Sequence, residues 1–186
     1  MFGKIDEPFN YRFHGNFNVS AIADQLYKYP DDWFLNQERQ NTFKAHKETY
    51  SIPIYDYDFD WRINEPYSVI RNTNQPVMIE LISPIVKTFE QIHDGKIGKC
   101  MFISLPAHKN VEEHNDLGEY LGVVRRHHIA ITTNDNALFF VNKESKNMKT
   151  GECWEINNSH RHSVQNNGDT ERIHLMFDIL PNRFIK

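Results

Sequence analysis

The chain has 186 residues, 39% hydrophobic and 13% aromatic, with a formal net charge of −4. That is enough apolar material for one buried core and too much for a disordered chain. The slight acidity and the lack of a long basic run argue against nucleic acid as a partner. No stretch of 18 apolar residues suggests a membrane span, and residues 1–8 lack the basic start and apolar core of a signal peptide. We therefore expect a cytoplasmic protein. Cys100 and Cys153 are the only cysteines, expected to be reduced and half-buried, and too few to make a zinc site alone.

In chain order, residues 20–29 predict a helix with Ser20 as N-cap, Ile22, Leu26 and Tyr29 on one face, and Pro30 ending it. Residues 49–57 predict a strand. A second helix is expected from about Met78 to His93, with Leu81, Ile85, Phe89 and Ile92 along one stripe and Asp94-Gly95 closing it. Pro84 calls for a boundary near Ser83 or a kink. After Gly98 short strands take over, at 99–105, 121–133, 137–142, 152–156, 162–166 and 170–180, with a turn at Asn134-Asp135-Asn136. This order predicts a mainly β fold with supporting helices, a double-stranded β-helix (jelly-roll, cupin-like) barrel. Residues 1–98 would form its helical and strand N-terminal part, and 99–182 its metal-binding core.

Four residues carry the chemistry. His114 and Asp116 form an H-x-D pair, His162 follows 48 residues after His114, and Arg172 lies ten beyond His162. Two imidazoles and one carboxylate on one face of an Fe(II) ion leave three positions open, enough for a chelating 2-oxo acid and dioxygen. The H-x-D motif alone is a weak signal in a chain with ten histidines. The ordered set on predicted strands is the stronger one. Asp116, just before Leu117-Gly118, is expected at the end of a strand or just beyond it. Alternation on the last strand puts Arg172, His174, Met176 and Asp178 on one face and Ile173, Leu175, Phe177 and Ile179 on the other. A guanidinium there can form two parallel hydrogen bonds to a carboxylate, which lysine cannot. By the same alternation Arg126 and His128 share a face, leaving Arg125 and His127 toward the other sheet or solvent. His160 could form an H-x-H pair with His162, but only His162 has arginine ten residues on and a following Val-Gln-Asn. His14, His93 and His108 are read as structural or surface residues, His46 less safely so. Trp154 is read as core rather than as a substrate platform.

The segments 113–116 (EHND), 124–131 (VRRHHIAI), 151–166 (GECWEINNSHRHSVQN) and 172–178 (RIHLMFD) resemble the aspartyl/asparaginyl β-hydroxylase family, including its small bacterial proline-hydroxylase-like branch. The resemblance is strong over 99–181 and loose before that, around 42–54. It implies iron ligation by His114, Asp116 and His162, and 2-oxoglutarate held by Arg172 with Arg126 and His128 assisting. Some members lack the ligand carboxylate; this chain has it as Asp116.

The expected activity is Fe(II)-, 2-oxoglutarate- and O2-dependent hydroxylation of an unactivated C–H bond of an amino acid, free proline or a similar compound first. A peptidyl Asp/Asn or prolyl substrate is the alternative. A non-catalytic jelly-roll metal- or ligand-binding protein is the alternative of another class. With no repeat for grasping a long polypeptide, a small molecule or a short peptide is favoured. Arg39, His46 and Thr49 are the candidate substrate wall, because an amino-acid carboxylate needs cationic or hydroxyl partners.

Overall fold

The computed structural model describes residues 7–57, 69–72 and 74–185. Among these, eleven strands form two antiparallel sheets. The large sheet runs β1 (Tyr11–Asn16), β9 (Glu152–Ile156), β6 (Arg125–Thr132), β11 (Arg172–Pro181), β4 (Gly95–Leu105), β2 (Tyr50–Tyr57) and β3 (Val69–Arg71). The small sheet runs β5 (Lys109–His114), β10 (His162–Asn166), β7 (Ala137–Val141) and β8 (Glu144–Lys146). Leu105, Ala130 and Ile156 of the large sheet pack against Val111, Phe139, Val141 and Val164 of the small one. This is the expected jelly-roll barrel, mainly β with helices on one side.

Helices α1 (Ser20–Lys28) and α3 (Pro76–Ile92) cover the outer face of the large sheet. α1 contributes Ile22 and Leu26, α2 (Glu38–Thr42) is a single turn, and α3 contributes Met78, Ile82, Ile85, Val86 and Phe89. These side chains join Ile173, Leu175, Phe177 and Ile179 of β11 in the main core. The opposite face of β11 looks into the barrel, where Met176 meets Met101 and Ile103. Every residue of β11 is buried, because both faces of the strand are covered. The alternation read from the sequence therefore separates two cores, not a core and a surface.

Several local expectations are corrected. Ser20 is the first helical residue of α1 rather than its N-cap. The Asn18 side chain accepts hydrogen bonds from the Ser20 N–H (3.1 Å) and hydroxyl (2.8 Å). Tyr29 is exposed. Pro84 lies inside an unbroken α3, on its exposed side, so the helix reaches back to Pro76, where proline suits the first turn. The buried stripe is correspondingly shifted: Ile82 is fully buried, while Ile92 is exposed. Asp94, not Gly95, takes the left-handed conformation that ends α3, with φ of 44°, and the Asn182 amide holds its carboxylate at 2.8 Å. Residues 119–123 form a helical turn, α4 (Glu119–Val123), where a strand was expected to begin at 121. Strands β1, β3 and β8 were not foreseen, and β5 is the strand expected to end near Asp116. Cys100 and Cys153 are free and fully buried, not half-buried, and burial pushes both thiols well above their ordinary range.

The core assignment is open to a direct check. Ile82→Ala should cost about 2–5 kcal/mol, the penalty for truncating a fully buried aliphatic side chain. Lys87→Ala on the exposed side of α3 should stay within about 0.5 kcal/mol. Urea denaturation followed by circular dichroism measures both.

Candidate metal centre and carboxylate pocket

The mouth of the barrel is built by one pairing. β10 runs antiparallel to β5 with His162 directly opposite His114. Their imidazole rings lie 4.3 Å apart, centre to centre. Each ring is fixed by its own backbone. The Nδ1–H of His114 donates to the Glu112 carbonyl at 2.8 Å, and that of His162 donates to the His160 carbonyl at 2.9 Å. A carbonyl can only accept, so in each ring's neutral form the lone pair sits on Nε2, the atom left to face a metal.

Asp116 completes the set from just past the end of β5. Its Oδ1 lies 3.9 Å from His114 Nε2 and its Oδ2 lies 3.9 Å from His162 Nε2. All three ligand atoms fall within 4.8 Å of one another. Cis donors around a divalent ion with bonds near 2.1 Å sit about 3 Å apart, so a contraction of roughly 1 Å closes the set. The donor types, nitrogen, nitrogen and carboxylate, fit Fe(II). His160 stands outside this group. Its ring faces Asn10, and its backbone carbonyl is what orients His162.

Asp116 is held by Arg126. The guanidinium sends Nε and Nη2 to the two oxygens of Asp178 at 2.8 Å each, and Nη1 to Asp116 Oδ2. Arg126 and Asp178 are directly opposed on β6 and β11, so the fork is a cross-strand pair. Burial works against the charge on Arg126, but Asp178 and then Asp116 outweigh it and hold the arginine ionised. Burial likewise raises Asp116, and Arg126, His162 and His114 together bring it down to about 2. Sequence reasoning missed Asp178 as a member of the site, although alternation had placed it on the inward face of β11.

Arg172 opens β11, opposite Leu105. It is 4% exposed, and among the described residues no carboxylate stands within ion-pair distance of it. Its Nη2 donates to His174 Nδ1 at 2.7 Å, and its guanidinium lies 5.6 Å from the Phe139 ring centre. Burial pulls its pKa down to about 9, still charged at neutral pH. Nearby, the buried His128 Nδ1 and His174 Nε2 have no hydrogen-bond partner among the described residues. Burial, and then the charge of Arg172, keeps both imidazoles neutral. A buried cation beside unpartnered polar atoms suits an anion with several oxygens. Asn166 fixes the approach to this strand. Its amide donates to the carbonyls of Leu105, Pro106 and Thr170 at 2.9–3.0 Å, clamping the turn that leads to Arg172.

The predicted substrate wall also converges. Arg39 on α2 donates to Thr49 Oγ1 and to His46 Nε2, both at 3.2 Å. The His46 ring meets His114 edge-on at 4.8 Å. Arg39 and His46 line the same pocket as the ligand triad, Arg126, His128 and Arg172. Arg39 is helical, His46 closes a 3-10 turn, and Thr49, expected as the first residue of a strand, just precedes β2. One other expectation changes, while Trp154 packs against the core as read from the sequence. Arg125 and His127 face α3 and Glu155 on the outer side of the sheet, not the small sheet or solvent. Trp154 packs under Phe13 and Tyr11, away from the pocket.

A two-histidine, one-aspartate face with an isolated cation deeper in a jelly roll defines the class of facial-triad oxygenases. The comparisons with known proteins agree. The aspartyl/asparaginyl beta-hydroxylase family profile matches residues 17–181, and the chain belongs to that family; it is an oxygenase enzyme of the hydroxylase type. Among solved structures, an oxidoreductase of the 2OG-Fe(II) oxygenase family from Burkholderia pseudomallei superposes with a TM-score of 0.54 and 15% identity, covering 71% of this chain and 67% of that one. A predicted oxalate decarboxylase from Thermotoga maritima (TM-score 0.38, 21% identity, 49% and 72% covered) and a cupin domain from Bordetella pertussis (0.37, 17%, 46% and 84%) are more distant. No functionally curated protein matches the sequence.

Three substitutions separate the roles described here. His162→Ala should abolish high-affinity Fe(II) binding in a calorimetric titration, whereas His160→Ala, which keeps the backbone carbonyl, should retain it. Arg126→Lys removes the fork that positions Asp116 and should weaken metal affinity about 10–100-fold, as for other groups that orient metal ligands. Unchanged metal affinity with weakened cosubstrate binding would instead make Arg126 a direct cosubstrate contact.

Proposed function

We propose that the protein is an Fe(II)- and 2-oxoglutarate-dependent hydroxylase acting on a carboxylate-bearing amino acid, a free amino acid such as proline first. The observation that carries this reading is the pair of cations in one pocket, Arg172 and Arg39. Neither has a carboxylate within ion-pair distance among the described residues, and the ligand triad shares their pocket. One cation suits the cosubstrate and the other the substrate.

His114, Asp116 and His162 would hold the iron, with Arg126 keeping Asp116 in place. When bound, iron, 2-oxoglutarate and dioxygen supply the oxidation that converts a C–H bond to C–OH, with succinate and carbon dioxide as coproducts. The protein's part is binding, orientation and exclusion of water. Arg172 would take the distal carboxylate of 2-oxoglutarate in a two-bond fork, braced by His174 and packed against Phe139. His128 would offer a neutral imidazole beside it. Ile103, Val111, Val164 and Met176 give the pocket apolar walls that keep water from the reacting carbon. Arg39, steadied by Thr49 and His46, would receive the substrate carboxylate and set which carbon faces the metal.

A peptidyl aspartate is the second reading, since Arg39 could equally receive a side-chain carboxylate. Succinate release under air, with added Fe(II) and a panel of free amino acids and short peptides, decides between them. The free-amino-acid reading expects turnover several-fold above the substrate-free rate with at least one amino acid, and a product heavier by one oxygen. Stimulation by peptides alone would overturn it. Arg172→Lys should raise the KM for 2-oxoglutarate at least thirtyfold, roughly 2 kcal/mol or more for losing one side of a buried charge pair. Arg39→Gln should raise the KM for the amino acid while leaving succinate formation without substrate nearly unchanged. If Arg39→Gln affects both equally, Arg39 belongs to the cosubstrate.

A further inference from the structure

A second group of ligating side chains lies on the other side of the large sheet. His14 on β1, His93 at the end of α3, His127 on β6 and Glu155 on β9 bring one ligand atom each to within 4.8 Å of the others. His127 and Glu155 are directly opposed across the β6–β9 pairing. His14 reaches them from the irregular end of β1, where the register with β9 shifts between Phe13 and Asn16. The Nε2 atoms of His93 and His127 are 3.0 Å apart, and His14 Nε2 is 3.1 Å from Glu155 Oε2. Tetrahedral ligands around Zn2+ with bonds near 2.0–2.1 Å lie about 3.3 Å apart, so both contacts are close to an edge of that tetrahedron.

We propose that these four residues form a structural Zn2+ site. The donor set, three imidazole nitrogens and one carboxylate oxygen, is one that zinc accepts, and with four protein ligands it leaves no position open for substrate. The surroundings are largely apolar. Glu155 and His127 are fully buried. Phe89 approaches all three rings, at 4.6 Å from His127, 5.4 Å from His14 and 6.2 Å from His93. Phe177 stacks on His127 at 4.9 Å. Arg125 and Arg12 also contact Glu155, at 3.2 Å and 3.1 Å, and orient its carboxylate. Their charge opposes that of a cation, so the three imidazoles carry the affinity. Bound zinc would tie β1 and the C-terminal end of α3 to β6, the strand whose next residue, His128, lines the catalytic pocket on the opposite face. The site is independent of the catalytic reading, because its residues share no ligand with it.

The test uses the full chain, stripped of metal and titrated with Co2+ as a spectroscopic substitute and with Zn2+. His162→Ala, which loses the catalytic site, should still bind one equivalent of Co2+ with the intense visible absorption of a tetrahedral complex, and one equivalent of Zn2+ should displace it. In the otherwise wild-type chain, His93→Gln and His14→Gln should each lose that absorption and keep one equivalent at His114, Asp116 and His162. Zn2+ should also raise the melting temperature of His162→Ala but not of His93→Gln. If His162→Ala binds no metal, or if the tetrahedral absorption survives both His93→Gln and His14→Gln, the four residues form only a hydrogen-bonded cluster and the proposal fails.

Discussion

The pocket depends on one buried guanidinium. Arg126 lies between Asp178, its partner across the β6–β11 pairing, and Asp116, which stands on an irregular segment past β5. Strand pairing fixes His114 and His162, but no ladder fixes Asp116, whose backbone N–H reaches only the Asn158 carbonyl at 3.2 Å. The Asp116 carboxylate is held by Arg126 together with the Asn158 side chain. The fork on Arg126 converts the rigidity of the large sheet into a defined place for the third ligand. Removing either carboxylate would leave a buried charge less well compensated, so these three residues should tolerate change only together.

That arrangement also explains the charge pattern of the pocket. Arg126 is neutralised within the protein, whereas Arg172 and Arg39 are not matched by a carboxylate among the described residues. Three arginines of one pocket thus differ: one holds Asp116 beside the two histidines, and two have no carboxylate of their own among the described residues. Neutral His128, His174 and His46 sit among them without adding charge, since burial holds all three deprotonated. The pocket can therefore attract two carboxylates without accumulating so much positive charge that a divalent metal is repelled.

Much of this was legible in the sequence because strands alternate. The inward face of β11 and the pairing of Arg126 with His128 follow from period two alone, and the grouping of His114, Asp116 and His162, which the structure brings together, follows from residue type and order. What alternation could not supply was the partner of each inward residue. Asp178 was on the correct face, but its role is visible only once β6 is beside β11. The same limit hid the His14, His93, His127 and Glu155 group, whose members come from four separated segments. Helix ends were misread where side chains acted unconventionally: Asn18 holds the start of α1 in place of Ser20, and Pro84 is tolerated inside α3 because it lies on the exposed side. Arg39, His46 and Thr49 were grouped by chemistry and do converge, but through a helical turn and a 3-10 turn that no periodicity announces.

On the proposed function, a cosubstrate carboxylate at Arg172 and a metal at His114, Asp116 and His162 belong to one ligand system. Anaerobic titration of the Fe(II)-loaded protein with 2-oxoglutarate measures this directly, through the visible absorption that arises when a 2-oxo acid chelates ferrous iron. The absorption should grow to saturation at one equivalent and should not be elicited by succinate, which has the carboxylates but no 2-oxo group. Iron bound at one equivalent with no absorption at any concentration of 2-oxoglutarate would contradict that function.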